Sequence, residues 1–176
     1  MDNILGNPEE ICRRAREHIE KGAVTEEYRA DRVKVIEILN QILAIELVCI
    51  LRYKRHFYTV RGIYSEEVKK EFGEHAMEAQ QHADMVAARI VELNGAPNFN
   101  PDGLAERSLS RYSEPDGISE MIKEDLIAER VAIEFYTEFV RWIGNDDLST
   151  KKMITDILAV EEQHAEDMKK LLSRHR

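Results

Sequence analysis

The chain has 176 residues, 43% of them hydrophobic and 34% charged, with only eight glycines and four prolines. That balance suits one all-helical domain with charged helix surfaces and excludes a disordered chain or a turn-rich sandwich. Thirty-four acidic residues against 25 basic ones give a formal charge of −9, which argues against a general nucleic-acid or anionic-membrane surface and suits the handling of cations.

Asn7, Pro8 and Glu10 read as an N-cap, a first-turn proline and a capping-box acid, and Gly22 reads as a stop. A short leading helix over residues 8 to 21 follows, within an extension over residues 1 to 24 that precedes a four-helix bundle over residues 25 to 176. From about residue 28 to residue 61, Val35, Ile38, Leu39, Ile42, Ile45, Cys49, Ile50 and Tyr53 recur at steps of three and four, which predicts the first long helix, ended by Gly62. Ser65 with Glu66 and Glu67 opens the second, which runs to Asn94-Gly95.

Residues 95 to 117 hold the three remaining prolines and three glycines, so they predict a long connection with at most a short helical turn. Its twenty or so residues can run the length of a bundle roughly 40 Å long, which lets the third long helix lie parallel to the second. The third helix is expected over about residues 118 to 143, ended by Gly144-Asn145, and the fourth over about residues 148 to 172. Cys12 and Cys49 form no CxxC pair, so two free thiols in a reducing cytoplasm are expected, with Cys49 in the core. No leader follows Met1, and Glu37, Asn40, Gln41 and Glu46 interrupt the most apolar stretch, so no membrane span is expected.

The two hairpins echo one another: Glu-Ala-Gln-Gln-His-Ala-Asp over residues 78 to 84 resembles Glu-Glu-Gln-His-Ala-Glu over residues 161 to 166. Glu46 breaks the apolar stripe of the first long helix, Glu129 breaks that of the third, and Glu161 with His164 lie at i and i+3 on the inner face of the fourth. On the second helix His82 shares a face with Glu78 and Val86. Glu46 precedes His82 by 36 residues and Glu129 precedes His164 by 35, as two equivalent hairpins require. A bare buried carboxylate costs several kcal/mol, so this many acids and imidazoles in one core call for cations. Mixed oxygen and nitrogen donors suit iron or manganese, and the arrangement is that of a di-iron carboxylate bundle. His75 shares the inner face but reads more simply as a capping or surface residue, Tyr53 and His56 as packing rather than as a redox tyrosine and a partner behind the ligands, and the run from Glu66 to Glu74 as a solvated face.

The segments Ala-Ile-Glu46-Leu-Val, Gln-His82-Ala-Asp, Asp125-Leu-Ile-Ala-Glu129 and Ala-Val-Glu161-Glu-Gln-His164 resemble the ferritin superfamily, and among its branches most resemble bacterioferritins and Dps-like mini-ferritins. The likeness covers nearly all of the chain after residue 30. It implies that Glu46, His82, Glu129, Glu161 and His164 are ferroxidase ligands, and that the protein oxidises Fe(II) with O2 or H2O2 and stores the product inside a hollow homo-oligomer. Three departures stand out. The family's bridging acid three residues before the second-helix histidine is Ala79 here, with Glu78 the substitute ligand one residue earlier. The position of the haem methionine is Gln80, so no haem is expected although Met77 and Met85 lie nearby. The chain ends twelve residues after His164, before any fifth helix, which favours a shell of twelve subunits over one of 24.

Other readings make different demands. A rubrerythrin-type peroxidase or oxygenase resembles the same pattern but normally carries a cysteine-rich site absent here. A DNA-coating mini-ferritin needs a basic arm, whereas Arg13, Arg14, Arg16, Lys21, Arg29, Arg32 and Lys34 are interleaved with acids, so DNA binding is not expected. A degenerate, non-catalytic bundle is the alternative that Ala79 keeps open.

Overall fold

The computed structural model describes residues 6–62 and 65–175. The side chain of Asn7 accepts a hydrogen bond from Glu9 N at 3.0 Å and so starts α1 (Pro8–Arg14), with Pro8 in the first turn where its missing N–H is not needed. This helix stops seven residues short of its expected end at residue 21. None of its residues is buried, so no packed face propagates it, and a left-handed His18 (φ 50°) separates it from a 3-10 turn at Ile19–Lys21. The first five residues of the extension, including the start where a leader was sought, lie outside the described residues.

The remaining helices are α2 (Arg32–Thr59), α3 (Ser65–Glu92), the single turn α4 (Leu104–Arg107), α5 (Ile118–Ile143) and α6 (Leu148–Arg174). Asp31 and Asp147 cap α2 and α6, accepting from Lys34 N at 3.1 Å and Thr150 N at 2.9 Å. After α3 the chain turns through a left-handed Asn94 (φ 60°), and Gly95 N donates to Ile90 O at 2.8 Å. A side chain at Gly95 would stand 2.9 Å from Ile36, so the close approach of this turn to α2 requires glycine.

Facing pairs give the direction of each helix. Glu46 meets His82 and Tyr53 meets His75, so α2 and α3 are antiparallel. Arg52 meets Asp125 and Glu46 meets Tyr136, so α2 and α5 are antiparallel as well. Hence α3 and α5 run parallel, joined by the long crossover that contains α4. The crossover is tied to the bundle by buried Arg52, whose Nη1 donates to Ser110 Oγ at 3.1 Å and Arg111 O at 3.2 Å. Arg52 Nε donates to Asp125 Oδ1 at 2.9 Å, and Asp125 Oδ2 lies 2.9 Å from His56 Nδ1.

Two apolar clusters fill the interior. One packs Leu39, Ile42, Val86, Ile90, Phe139 and Ile154; the other packs Val68, Phe72, Met121, Ile122, Met168 and Leu171. Each large side chain contributes about 1.5–3 kcal/mol when buried, which is ample to hold an unfavourable polar layer between the clusters. That layer lies at the middle of all four long helices. No helix among the described residues is long and apolar enough to cross a membrane.

Candidate metal centre

The polar layer contains Glu46 from α2, His82 from α3, Glu129 from α5, and Glu161 with His164 from α6, all buried. These are the residues singled out from the sequence, and the bundle brings them together. One oxygen or nitrogen from each of Glu46, His82 and Glu161 lies within 4.8 Å of the others, and the same holds for Glu129, Glu161 and His164. Glu161 belongs to both groups and therefore stands between two potential cation positions.

The distances have the character of a coordination site. His82 Nδ1 is 2.8 Å from Glu161 Oε1 and 3.6 Å from Glu46 Oε2, and His164 Nδ1 is 3.3 Å from Glu161 Oε2. Despite this crowding, His82 Nδ1, Glu129 Oε2 and Glu161 Oε1 are buried without a hydrogen-bond partner. Buried polar atoms are nearly always hydrogen-bonded, so three unpartnered ones in these two groups suit the binding of cations. The donor set of carboxylate oxygen and imidazole nitrogen fits divalent iron or manganese.

The other oxygen of each terminal glutamate is already held. Tyr136 Oη donates to Glu46 Oε1 at 2.5 Å, and Tyr53 Oη donates to Glu129 Oε1 in a short hydrogen bond. Each tyrosine leaves its glutamate one oxygen to face the centre. Neither tyrosine was assigned this task from the sequence. The signal that could find them is a shared interval: Tyr136 follows Glu129 by the same seven residues by which Tyr53 follows Glu46.

Glu78 reaches His164 from the opposite side. Its Oε2 lies 2.6 Å from His164 Nε2, while His164 Nδ1 faces Glu161. A carboxylate on one imidazole nitrogen fixes the tautomer that frees the other nitrogen as a ligand. Ala79 is buried on the same helix, one turn before His82, with no acid to offer. His75 is buried as well, contrary to the expected capping or surface position, with its ring stacked on that of His164 at a centroid distance of 3.9 Å. Glu71, expected on a solvated face, is half-buried beside it.

Protonation follows the same crowding. Burial and then the charge of Glu161 raise the Glu46 carboxyl, and the same two causes raise Glu129 well above the usual carboxylate range. Burial opposes ionisation of Glu161 too, but the neighbouring His164, His82 and Glu129 outweigh it and hold Glu161 low. Burial also opposes charging of His82, yet Glu161 and Glu46 lift it to about 10. A cation binding among these groups would compete with their protons.

The model of the ferritin-like domain matches residues 36–176, which contain every one of these residues. The chain belongs to the ferritin-like family. Among curated relatives, the bacterioferritin of Rhodobacter capsulatus is 29% identical over 141 residues, spanning 80% of this chain and 83% of that one. Among solved structures, a dodecameric thioferritin, the bacterioferritin-related protein of Bacteroides fragilis, is 30% identical with a TM-score of 0.80, covering 83% of this chain and 88% of that chain. A ferritin-like, diiron-carboxylate protein from Bacillus anthracis is 28% identical with a TM-score of 0.71, covering 81% and 99%. The all-helical ferritin-like fold expected from the sequence is thus the observed one, and the bacterioferritin resemblance holds.

Proposed function

We propose that this ferritin-like protein is a ferroxidase that binds two Fe(II) ions in its central polar layer and oxidises them with O2 or H2O2 for iron storage. The observation that carries this reading is the trio of orphaned buried atoms, His82 Nδ1, Glu129 Oε2 and Glu161 Oε1, around one space. Glu46 and His82 hold one Fe(II), Glu129 and His164 hold the other, and Glu161 bridges them. Glu78 orients His164 instead of replacing the bridging acid lost at Ala79. With Glu78 counted, four carboxylates balance two divalent ions.

Each Fe(II) gives up one electron. One H2O2 takes both electrons with two protons and leaves as two waters, so no one-electron radical is released. The surrounding carboxylates favour the harder Fe(III) product, and Tyr53 and Tyr136 hold those carboxylates while burial excludes water. The likeness to a dodecameric thioferritin supports assembly of this chain into a twelve-subunit shell. Pairing of the N-terminal cations supports a role without DNA: Arg13 bridges Glu10 and Glu17, Arg14 and Arg29 meet Glu27, and Lys34 meets Glu37.

The test is anaerobic loading with Fe(II), then addition of O2 or H2O2 while ferric absorbance is followed, with Glu129→Ala as control. Saturation near two irons per chain and oxidation at least 100-fold faster than in buffer, lost in the variant, supports the reading. Oxidation no faster than in buffer refutes it.

A further inference from the structure

One helical turn from the paired site, Glu71 and His75 of α3 and Asp167 of α6 bring one ligand atom each within 4.8 Å of one another. His75 is only 3% exposed, and its two nitrogens have separate tasks. Its Nδ1 lies 3.2 Å from Tyr53 Oη. Tyr53 has a single proton, which goes to Glu129, so its oxygen accepts here and His75 Nδ1 carries the hydrogen. His75 Nε2 is left with a bare lone pair, 3.7 Å from Glu71 Oε2.

Two acceptors cannot hydrogen-bond each other, and 3.7 Å is too long for a hydrogen bond in any case. It is the spacing a shared cation creates, because two donors each about 2.1 Å from one ion stand roughly 3 to 4 Å apart. Glu71 makes no hydrogen bond to any described residue and has Asp167 as an acidic neighbour. Asp167 accepts from Gln163 Nε2 and Lys170 Nζ, each at 2.9 Å, one on each oxygen, and each oxygen keeps a further lone pair. The almost wholly buried His75, whose Nε2 faces Glu71 beyond hydrogen-bond distance, distinguishes this cluster from an ordinary acidic patch.

We infer that Glu71, His75 and Asp167 form a third cation site, for a first-row divalent ion, on a route between the surface and the paired centre. His75 is the hinge of that route, because it also groups within 4.8 Å with Glu78 and His164. Side chains of Glu71 and Asp167 are 29% and 28% exposed, which gives an ion access from solvent. Binding at this site stands alone; the relay role rests on the paired-iron reading above.

The experiment is anomalous diffraction from crystals of the full chain soaked in Zn(II), which cannot change oxidation state. The expected result is a peak between Glu71, His75 and Asp167 in addition to two in the central layer, lost in Glu71→Gln and in Asp167→Asn while the central peaks remain. Using both variants guards against one failing to fold. Filled central positions with no third peak would overturn the inference, as would a third peak of equal occupancy in both variants. A filled third site beside an empty centre would support this site and refute the paired reading.

Discussion

Tyr53 on α2 holds Glu129 on α5 by its Oε1 oxygen, seven residues beyond Glu46 on its own helix. The relation is reciprocal, since Tyr136, seven residues beyond Glu129, holds Glu46. Seven residues are two helical turns, so each tyrosine lies on the same face as its own glutamate and reaches the partner helix's glutamate because α2 and α5 are antiparallel. Partners of this kind tune a metal site as strongly as some ligands do. Tyr53→Phe and Tyr136→Phe are each expected to weaken Fe(II) binding about 10-fold or more, read by anaerobic equilibrium titration. An unchanged affinity in both would show that the tyrosines only pack.

In the proposed centre Glu78 serves the metal through His164, which it touches at 2.6 Å. Glu78→Ala should lower affinity at the Glu129–His164 position on the order of 10- to 100-fold, while the Glu46–His82 position keeps its affinity. Site-resolved occupancy in metal-soaked crystals separates the two. Equal loss at both positions would mean that Glu78 serves the whole centre and does not orient one histidine.

Restoring the acid at residue 79 should affect metal-free and loaded protein in opposite directions. Ala79 packs in the apolar cluster beside the centre, so Ala79→Glu adds a buried carboxylate close to existing ones. Without metal it should cost about 1–3 kcal/mol, or several degrees in the melting midpoint of a domain this size. With metal the new carboxylate gains a cation, and the midpoint should rise above that of the loaded parent. Thermal shift with and without Zn(II) decides it, and shifts of the same sign in both states would contradict the reading.

The pH dependence follows from which groups hold protons. His82 is raised to about 10 because Glu161 and Glu46 outweigh the burial that opposes its charging. A histidine raised above its ordinary 6.5 contributes stability that is present below that value and fades as pH climbs toward about 10. Glu46 and Glu129, raised by burial and then by Glu161, add the same sign: the folded state binds their protons more tightly, so ionising them with rising pH also removes stability. Metal-free protein should therefore melt at progressively lower temperature above about pH 6.5. Coordination displaces the His82 proton, so the loaded protein should lose this slope and Zn(II) affinity should rise with pH. A metal-free midpoint that climbs with pH would refute the assignment.

Helical periodicity made the four long helices and the five buried acids and imidazoles of the central layer legible, because a glutamate on an apolar stripe can be seen without knowing its neighbours. What escaped depends on contacts across the bundle. His75 and Glu71 acquire their roles from His164 and Asp167, some ninety residues later in the chain, and a sequence window holds only one side of that pairing. Arg52 takes its place from Asp125 and the crossover carbonyl of Arg111, both more than fifty residues away in the chain. Capping signals placed the start of α1 well, but its length depended on a packed face that α1 does not possess.

The most direct test of a bridged pair is electron paramagnetic resonance of protein loaded anaerobically with two Fe(II) per chain and oxidised by stoichiometric H2O2, with retained iron measured on the same sample. Bridging by Glu161 predicts two coupled Fe(III) ions per chain that give no ferric signal although the iron remains bound. A strong signal from isolated high-spin Fe(III), accounting for the retained iron, would contradict the paired centre.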